Sequence, residues 1–194
     1  MTDDTADAFQ HRTVLSDGSV YRVVPVETGV RAIRAWVEHP WPMSPAQALA
    51  LRDWLGWTSS PTKEWMFTTD HGIGEKDASF NTIEAGGDIR TVSSFHLSLT
   101  SRIPKPVRAE AVPTAERAFD AYVEALTAVY GQGKRSRNRG VLSVKWALPS
   151  DTSVDIGTVG RVVSVDIDSP ALNEAARGEA QYFDEIADEN DPAR

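Results

Sequence analysis

The order of patterns along this chain predicts an α+β fold with a mainly antiparallel sheet. Alternating apolar–polar runs fall into two blocks, and helical stripes lie before, between and after the blocks. No regular strand–helix–strand repeat occurs, which argues against a parallel sheet. Short turn signals, such as Ala85-Gly86-Gly87-Asp88 and Pro149-Ser150-Asp151, join the runs within a block, as hairpins require. The expected order is β-hairpin-αα-βββ-α-βββ-α, with a single domain over 12–187. Polar tails are expected at 1–11 (disordered) and 188–194 (acidic).

Arg12–Leu15 and Val20–Val24 are short β-prone runs around Ser16-Asp17-Gly18-Ser19, a hairpin signal. Val26, Val30, Ile33 and Val37 then recur at helical spacing, with Trp36 at the edge of the stripe and His39-Pro40 as the stop. The next helix has both ends written in. Ser44 is a good N-cap, Pro45 suits the first helical position, and Gln47 sits where a capping box wants it. Met43 is placed to staple onto Ala48. Gly56 follows the helix, where a left-handed residue is needed. Ala48, Leu51, Trp54 and Leu55 form its apolar stripe, and Trp57 is placed to fold back on Leu51. The short Pro-rich bend between the two helices predicts an αα-hairpin.

The first strand block comprises Trp65 to Thr69, Ser79 to Glu84 and Ile89 to Leu99. In the last of these Phe95, Leu97 and Leu99 alternate with Ser94, His96 and Ser98. Ile103–Pro113 contains three prolines and reads as a surface linker. A long helix follows, with Ala115, Ala118, Phe119, Tyr122, Val123, Leu126, Val129 and Tyr130 on one face and Gly131 as terminator. Gly133–Gly140 reads as a basic loop containing Lys134, Arg135, Arg137 and Arg139. Three more alternating runs end at Asp168. Ser169-Pro170 then opens a last helix, with Leu172, Ala175, Ala176, Tyr182, Phe183 and Ile186 on one stripe and Glu179 oddly inside it. Two matching halves are conceivable from this order, but no residue pattern supports a duplication.

At 194 residues, a single domain buries roughly 70% of its unfolded surface and needs no covalent staple. There is no cysteine, so disulfides and thiolate metal sites are excluded, and a reducing cytoplasm is the simplest home. The acidic, polar start is not a signal peptide, and no apolar run reaches the length of a membrane span. The formal net charge of -8 argues against nucleic acid as a partner and for attraction to a basic one.

Catalytic and cofactor signatures are missing. No phosphate-binding loop, dinucleotide fingerprint, nucleophile elbow or H-E-x-x-H helix is present. The four histidines, His11, His39, His71 and His96, are scattered, so no metal or other cofactor is expected. The segment Asp70-His71-Gly72-Ile73-Gly74-Glu75-Lys76-Asp77 has the densest local chemistry. A histidine beside a carboxylate can serve as a general base, but no second catalytic group can be named, and the spacing is not that of an EF-hand. Its plain structural reading is a wet hairpin loop; its functional reading is a docking loop. Asp70, His71, Glu75, Asp77, Glu84 and Asp88 are the candidate partner-binding residues, expected to gather around the first two hairpin turns. The basic loop from Lys134 to Arg139 has three readings: a helix C-terminal charge complement, a phosphate or acidic-partner site, or a partner for the acidic tail.

Pro40-Trp41-Pro42, followed by a helix ending Leu55-Gly56-Trp57, resembles the opening of an actinobacterial family of unknown function. The later layout Trp146, Val163-Ser164-Val165 and Asp168-Ser169 is similar to that family too, and the likeness covers most of Ala32–Ala187. The Arg12–Val24 hairpin departs from it. Members are often found beside secreted polymorphic toxins and read as immunity proteins, so the resemblance implies a cytoplasmic, non-enzymatic inhibitor of a cognate toxin. Such an inhibitor is expected to be a monomer when free, with no nucleic acid or membrane partner. An acidic inhibitor gains steering toward a toxin that is basic around its site. The element order is also similar to that of small type III secretion chaperones, which implies an alternative role of holding an export substrate.

Overall fold

A computed structural model describes residues 11–84, 90–103 and 105–189; side chains are described through Tyr182, that of Lys105 excepted. Of the expected tails, 1–10 and 190–194 lie outside this description, as do the turn at 85–89 with Asp88 and the stripe side chains of Phe183 and Ile186; 188–189 belong to the last helix. The fold is α+β. β1 (Arg12–Val14) and β2 (Val20–Arg22) form the expected hairpin as a separate two-stranded sheet. α1 (Val26–Val37) and α2 (Pro45–Trp54) follow. Then come β3 (Thr58–Ser60), β4 (Lys63–Thr68), β5 (Ala78–Glu84) and β6 (Arg90–Ser98). A short 3-10 turn leads into α3 (Arg108–Tyr130). β7 (Lys134–Asn138), β8 (Val141–Ala147), β9 (Ser153–Thr158), β10 (Val163–Asp168) and α4 (Pro170–Glu189) complete the chain.

The eight strands β3 to β10 form one antiparallel sheet in the order β3-β4-β5-β6-β10-β9-β8-β7. Each half is a four-stranded meander, and the halves meet at their last strands. In that seam His96 faces Asp166, Leu97 faces Val165 and Phe95 faces Ile167. The register is centred on His96 and Asp166, so Phe95-His96-Leu97 and Val165-Asp166-Ile167 are equivalent under an approximate twofold. The duplication that no residue pattern supported is therefore present in the topology. It shares only the alternation of apolar and polar positions.

One face of the sheet carries the core. Phe67, Phe80, Phe95, Leu97, Val154, Ile156, Val165 and Ile167 are buried there against α1 and α3. Trp36 lies at the centre, stacked on Phe95 at 3.8 Å between ring centroids, and also contacting Phe67. The other face is polar and carries a row across the seam, Ser79, His96, Asp166, Asp155 and Lys145.

Several expectations change. The buried face of α1 is Gly29, Ala32, Ile33, Trp36 and Val37, so Trp36 is central rather than marginal. Gly29 allows Tyr122 of α3 to sit directly on the helix, where its hydroxyl donates to Val24 O at 2.9 Å. α1 thus packs on α3 and the sheet, and α1 with α2 does not form a clear αα-hairpin. The ends of α2 are as expected: both halves of the capping box form, and Gly56 has a φ of 77°. Its stripe is not, because Trp54 is 72% exposed. α3 starts earlier than Pro113, which lies inside it; burial of Ala111 and Ala115 on the core side extends the helix through the expected linker. Gly133–Gly140 is no loop, since Lys134–Asn138 is the exposed edge strand β7. The described part of α4 projects with Ala175, Ala176 and Tyr182 exposed, so Glu179 is also exposed and is not buried in a stripe.

Candidate functional site

The loop between β4 and β5 is stapled rather than loose. Asp77 is buried, and its carboxylate accepts the Thr69 amide at 2.8 Å and the Thr69 hydroxyl at 2.5 Å. The Lys76 amide donates to Thr68 Oγ1 at 3.3 Å. His71 also turns inward. Its side chain is 4% exposed and packs edge-on to Trp57, with ring centroids 5.8 Å apart. Nε2 lies 3.6 Å from Asp70 Oδ1, and Nδ1 has no hydrogen-bond partner among the described residues. Burial pushes the imidazole pKa below its ordinary value, only partly offset by the nearby Asp70 and Asp77 carboxylates. Asp70 and Glu75 are exposed. The loop therefore offers two carboxylates outward and keeps Asp77 and His71 for its own structure.

Glu84 does not join them. It stands at the far end of β5, separated from the loop by the length of the strand, roughly 20 Å at 3.3 Å per residue. The two hairpin turns are at opposite ends of the meander because a strand links them. Asp88 lies outside the described residues.

At the Glu84 end the sheet opens. β4 pairs with β5 only at Met66–Ser79 and Phe67–Ala78, and then the strands diverge. A one-residue bulge sets Ser93 of β6 between the partners of Asn81 and Thr82, and the Ser93 carbonyl accepts the Ser169 amide at 2.8 Å. The divergence makes a cleft of about 450 Å³, lined by Pro45, Glu64, Trp65, Phe80, Asn81, Thr82 and Arg90. Pro45 is present because the capping box fixes the start of α2 there. Trp65 is 46% exposed, a large aromatic surface in a cleft with a charged rim. Glu84 sits 4.0 Å from Arg90, both well exposed. The apolar–polar alternation from Trp65 to Thr69 would put Trp65 with Phe67 on the covered side of the strand. The signal against that is its neighbour Glu64 and the absence of apolar partners at the start of β4, which together mark an unpaired strand end.

A second polar constellation lies on the open sheet face. His96 Nδ1 and Asp166 Oδ1 are 2.8 Å apart. Asp155, directly opposite Asp166, has its pKa raised by burial and by the Asp166 and Asp168 charges, with Lys145 opposing. A His–Asp pair can orient an imidazole as a base. Here Asp166 and Asp155 line an open depression of about 230 Å³, and no hydroxyl among the described residues is hydrogen-bonded to the ring. Among the described residues no group of three or more His, Asp or Glu is placed to hold a metal ion. No described helix is long and apolar enough to cross a membrane.

No curated protein and no solved structure matches the chain. One family model does, over residues 27–169, from the first turn of α1 to the residue before α4. That span holds both meanders, the stapled loop and the Trp65 cleft, and leaves out the β1–β2 hairpin that departed from the resemblance. On this coverage the chain belongs to a family of unknown function (DUF6301).

Proposed function

We propose that this protein is a cytoplasmic immunity protein, which binds a folded toxin domain and blocks its active site without doing chemistry itself. The observation that carries the reading is the Trp65 cleft. Exposed tryptophans beside a pocket are the side chains that most often dominate protein interfaces. Glu64 lines the cleft and Glu84 stands 4.0 Å from its Arg90; with the net charge of -8, this acidic excess favours a partner that is basic near the contact. Asp70 and Glu75 form an outer charged contact. Their separation from Glu84, roughly 20 Å, fits within one interface of about 800 Å² per partner. The immunity role itself rests on the resemblance stated above.

The test starts with purification of the protein from its host together with what it binds, and expression of that partner alone. Trp65→Ala and Glu84→Lys should each weaken the complex by about tenfold or more, with thermal stability close to the parent. Unchanged affinity in both variants moves the interface away from the cleft. A partner that is an unfolded export segment rather than a folded domain favours the chaperone role instead.

A further inference from the structure

The far edge of the sheet carries a surface of opposite sign. β7 is five residues long, pairs with β8 in unbroken register from Lys134–Lys145 to Asn138–Val141, and has no strand beyond it among the described residues. All five residues are exposed. Half of its backbone N–H and C=O groups therefore point outward in regular spacing, the geometry a further strand needs. The opposite edge, β3, is protected differently. It is three residues long and its register shifts at Ser59 and Ser60.

Charge alone would be a routine defence of an edge. Three further features go beyond defence. The cations continue out of the strand into the β7–β8 turn, where Arg139 holds a φ of 47°. Among the described residues Lys134, Arg137 and Arg139 have no acidic partner, and Arg135 has only Asp120, at 3.8 Å. Beside the strand, on the helix side, lies a groove of about 300 Å³ where Leu142 and the exposed Val159 supply apolar surface, Glu116 and Asp120 stand on the α3 wall, and Arg135 and Arg137 line the strand side, Arg135 stacking over the buried Phe119. In a chain of net charge -8, this is an edge with four cations, against the two carboxylates Glu116 and Asp120, next to a groove of mixed polar and apolar lining.

We propose that β7 accepts an extended acidic segment of a partner protein as a ninth strand. Alternate side chains of that segment point toward the groove, where apolar residues meet Leu142 and Val159 and carboxylates meet Arg135 and Arg137. The others lie over the polar face, beside Lys134 and Lys145. The main chain supplies the pairing, and the charges supply the choice of an acidic rather than a basic segment. This surface is separate from the Trp65 cleft, and it stands or falls independently of the toxin reading.

The probe is a capped, fluorescent eight-residue peptide of alternating Glu and Val, titrated into the full chain and followed by anisotropy. Saturable binding is expected, with amide shifts concentrated on Lys134–Asn138. The double variant Lys134→Glu, Arg137→Glu should weaken it by about tenfold or more, since both positions are exposed and carry binding rather than folding. A peptide of alternating Lys and Val should not bind. N-methylation of alternate residues along one hydrogen-bonding edge, tested for each edge in turn, should abolish binding for one of the two peptides, without touching the protein. Absence of saturable binding overturns the proposal. So does equal binding by the charge-reversed variant, or by both N-methylated peptides, since the contact would then be neither charge-selected nor a strand.

Discussion

Two residues concentrate the physical tensions of this molecule. At Gly29 a methyl group would fall against the Tyr122 hydroxyl and within 2.7 Å of its ring. Helix propensity alone favours alanine there by about 1 kcal/mol. The clash with a fully buried tyrosine, itself held by Val24 O, should win. Gly29→Ala should therefore destabilise by about 1–3 kcal/mol in denaturant unfolding; a stabilised variant would show that α1 and α3 are not in this close contact. His71 sets a pH dependence. Its folded-state pKa lies below the ordinary 6.5, chiefly through burial. At higher pH the ring is neutral folded or unfolded and contributes nothing. As pH falls through the unfolded value, the unfolded chain takes up the proton first, and stability drops until the folded pKa is also passed. Between about pH 7.5 and about pH 5, His71→Gln should lose less stability than the parent. Equal losses in thermal melts at the two pH values would place the imidazole in water.

Elements differ in how openly their sequences declare them. α2 was legible to the residue because its signals are local: Ser44, Gln47 and Gly56 act on the backbone beside them. Ser44→Ala removes the hydroxyl that accepts the Gln47 amide at 3.3 Å, and should cost about 1 kcal/mol of stability by chemical denaturation. No loss would mean that water caps this end equally well. The central strands were legible because one face is buried, which writes apolar–polar alternation into them. The two edge strands were not. β3 reads Thr-Ser-Ser and β7 reads Lys-Arg-Ser-Arg-Asn; neither has an apolar residue to place on a covered face, so alternation has nothing to record. The same cause hid the exposure of Trp54 and Trp65, since periodicity reports a stripe and not whether anything covers it. Candidate residues fared by the same logic. Asp70 and Glu75 face water as their loop position implied. Asp77 and His71 turned inward through contacts with Thr69 and Trp57, which spacing cannot reveal.

At the scale of the whole molecule, two meanders joined at β6 and β10 make one continuous sheet with a covered face, a polar face and two unlike edges. The splayed end of the first meander carries Trp65 with acidic neighbours, and the outer strand of the second carries arginines. On the proposed function, the first of these stops a toxin. The most direct measurement is growth of a test host expressing the co-purified partner, with and without this chain. The partner alone should arrest growth, the parent chain should restore it, and Trp65→Ala should restore it poorly while remaining folded. A partner that is harmless alone, or a Trp65→Ala chain that protects as well as the parent, would contradict it.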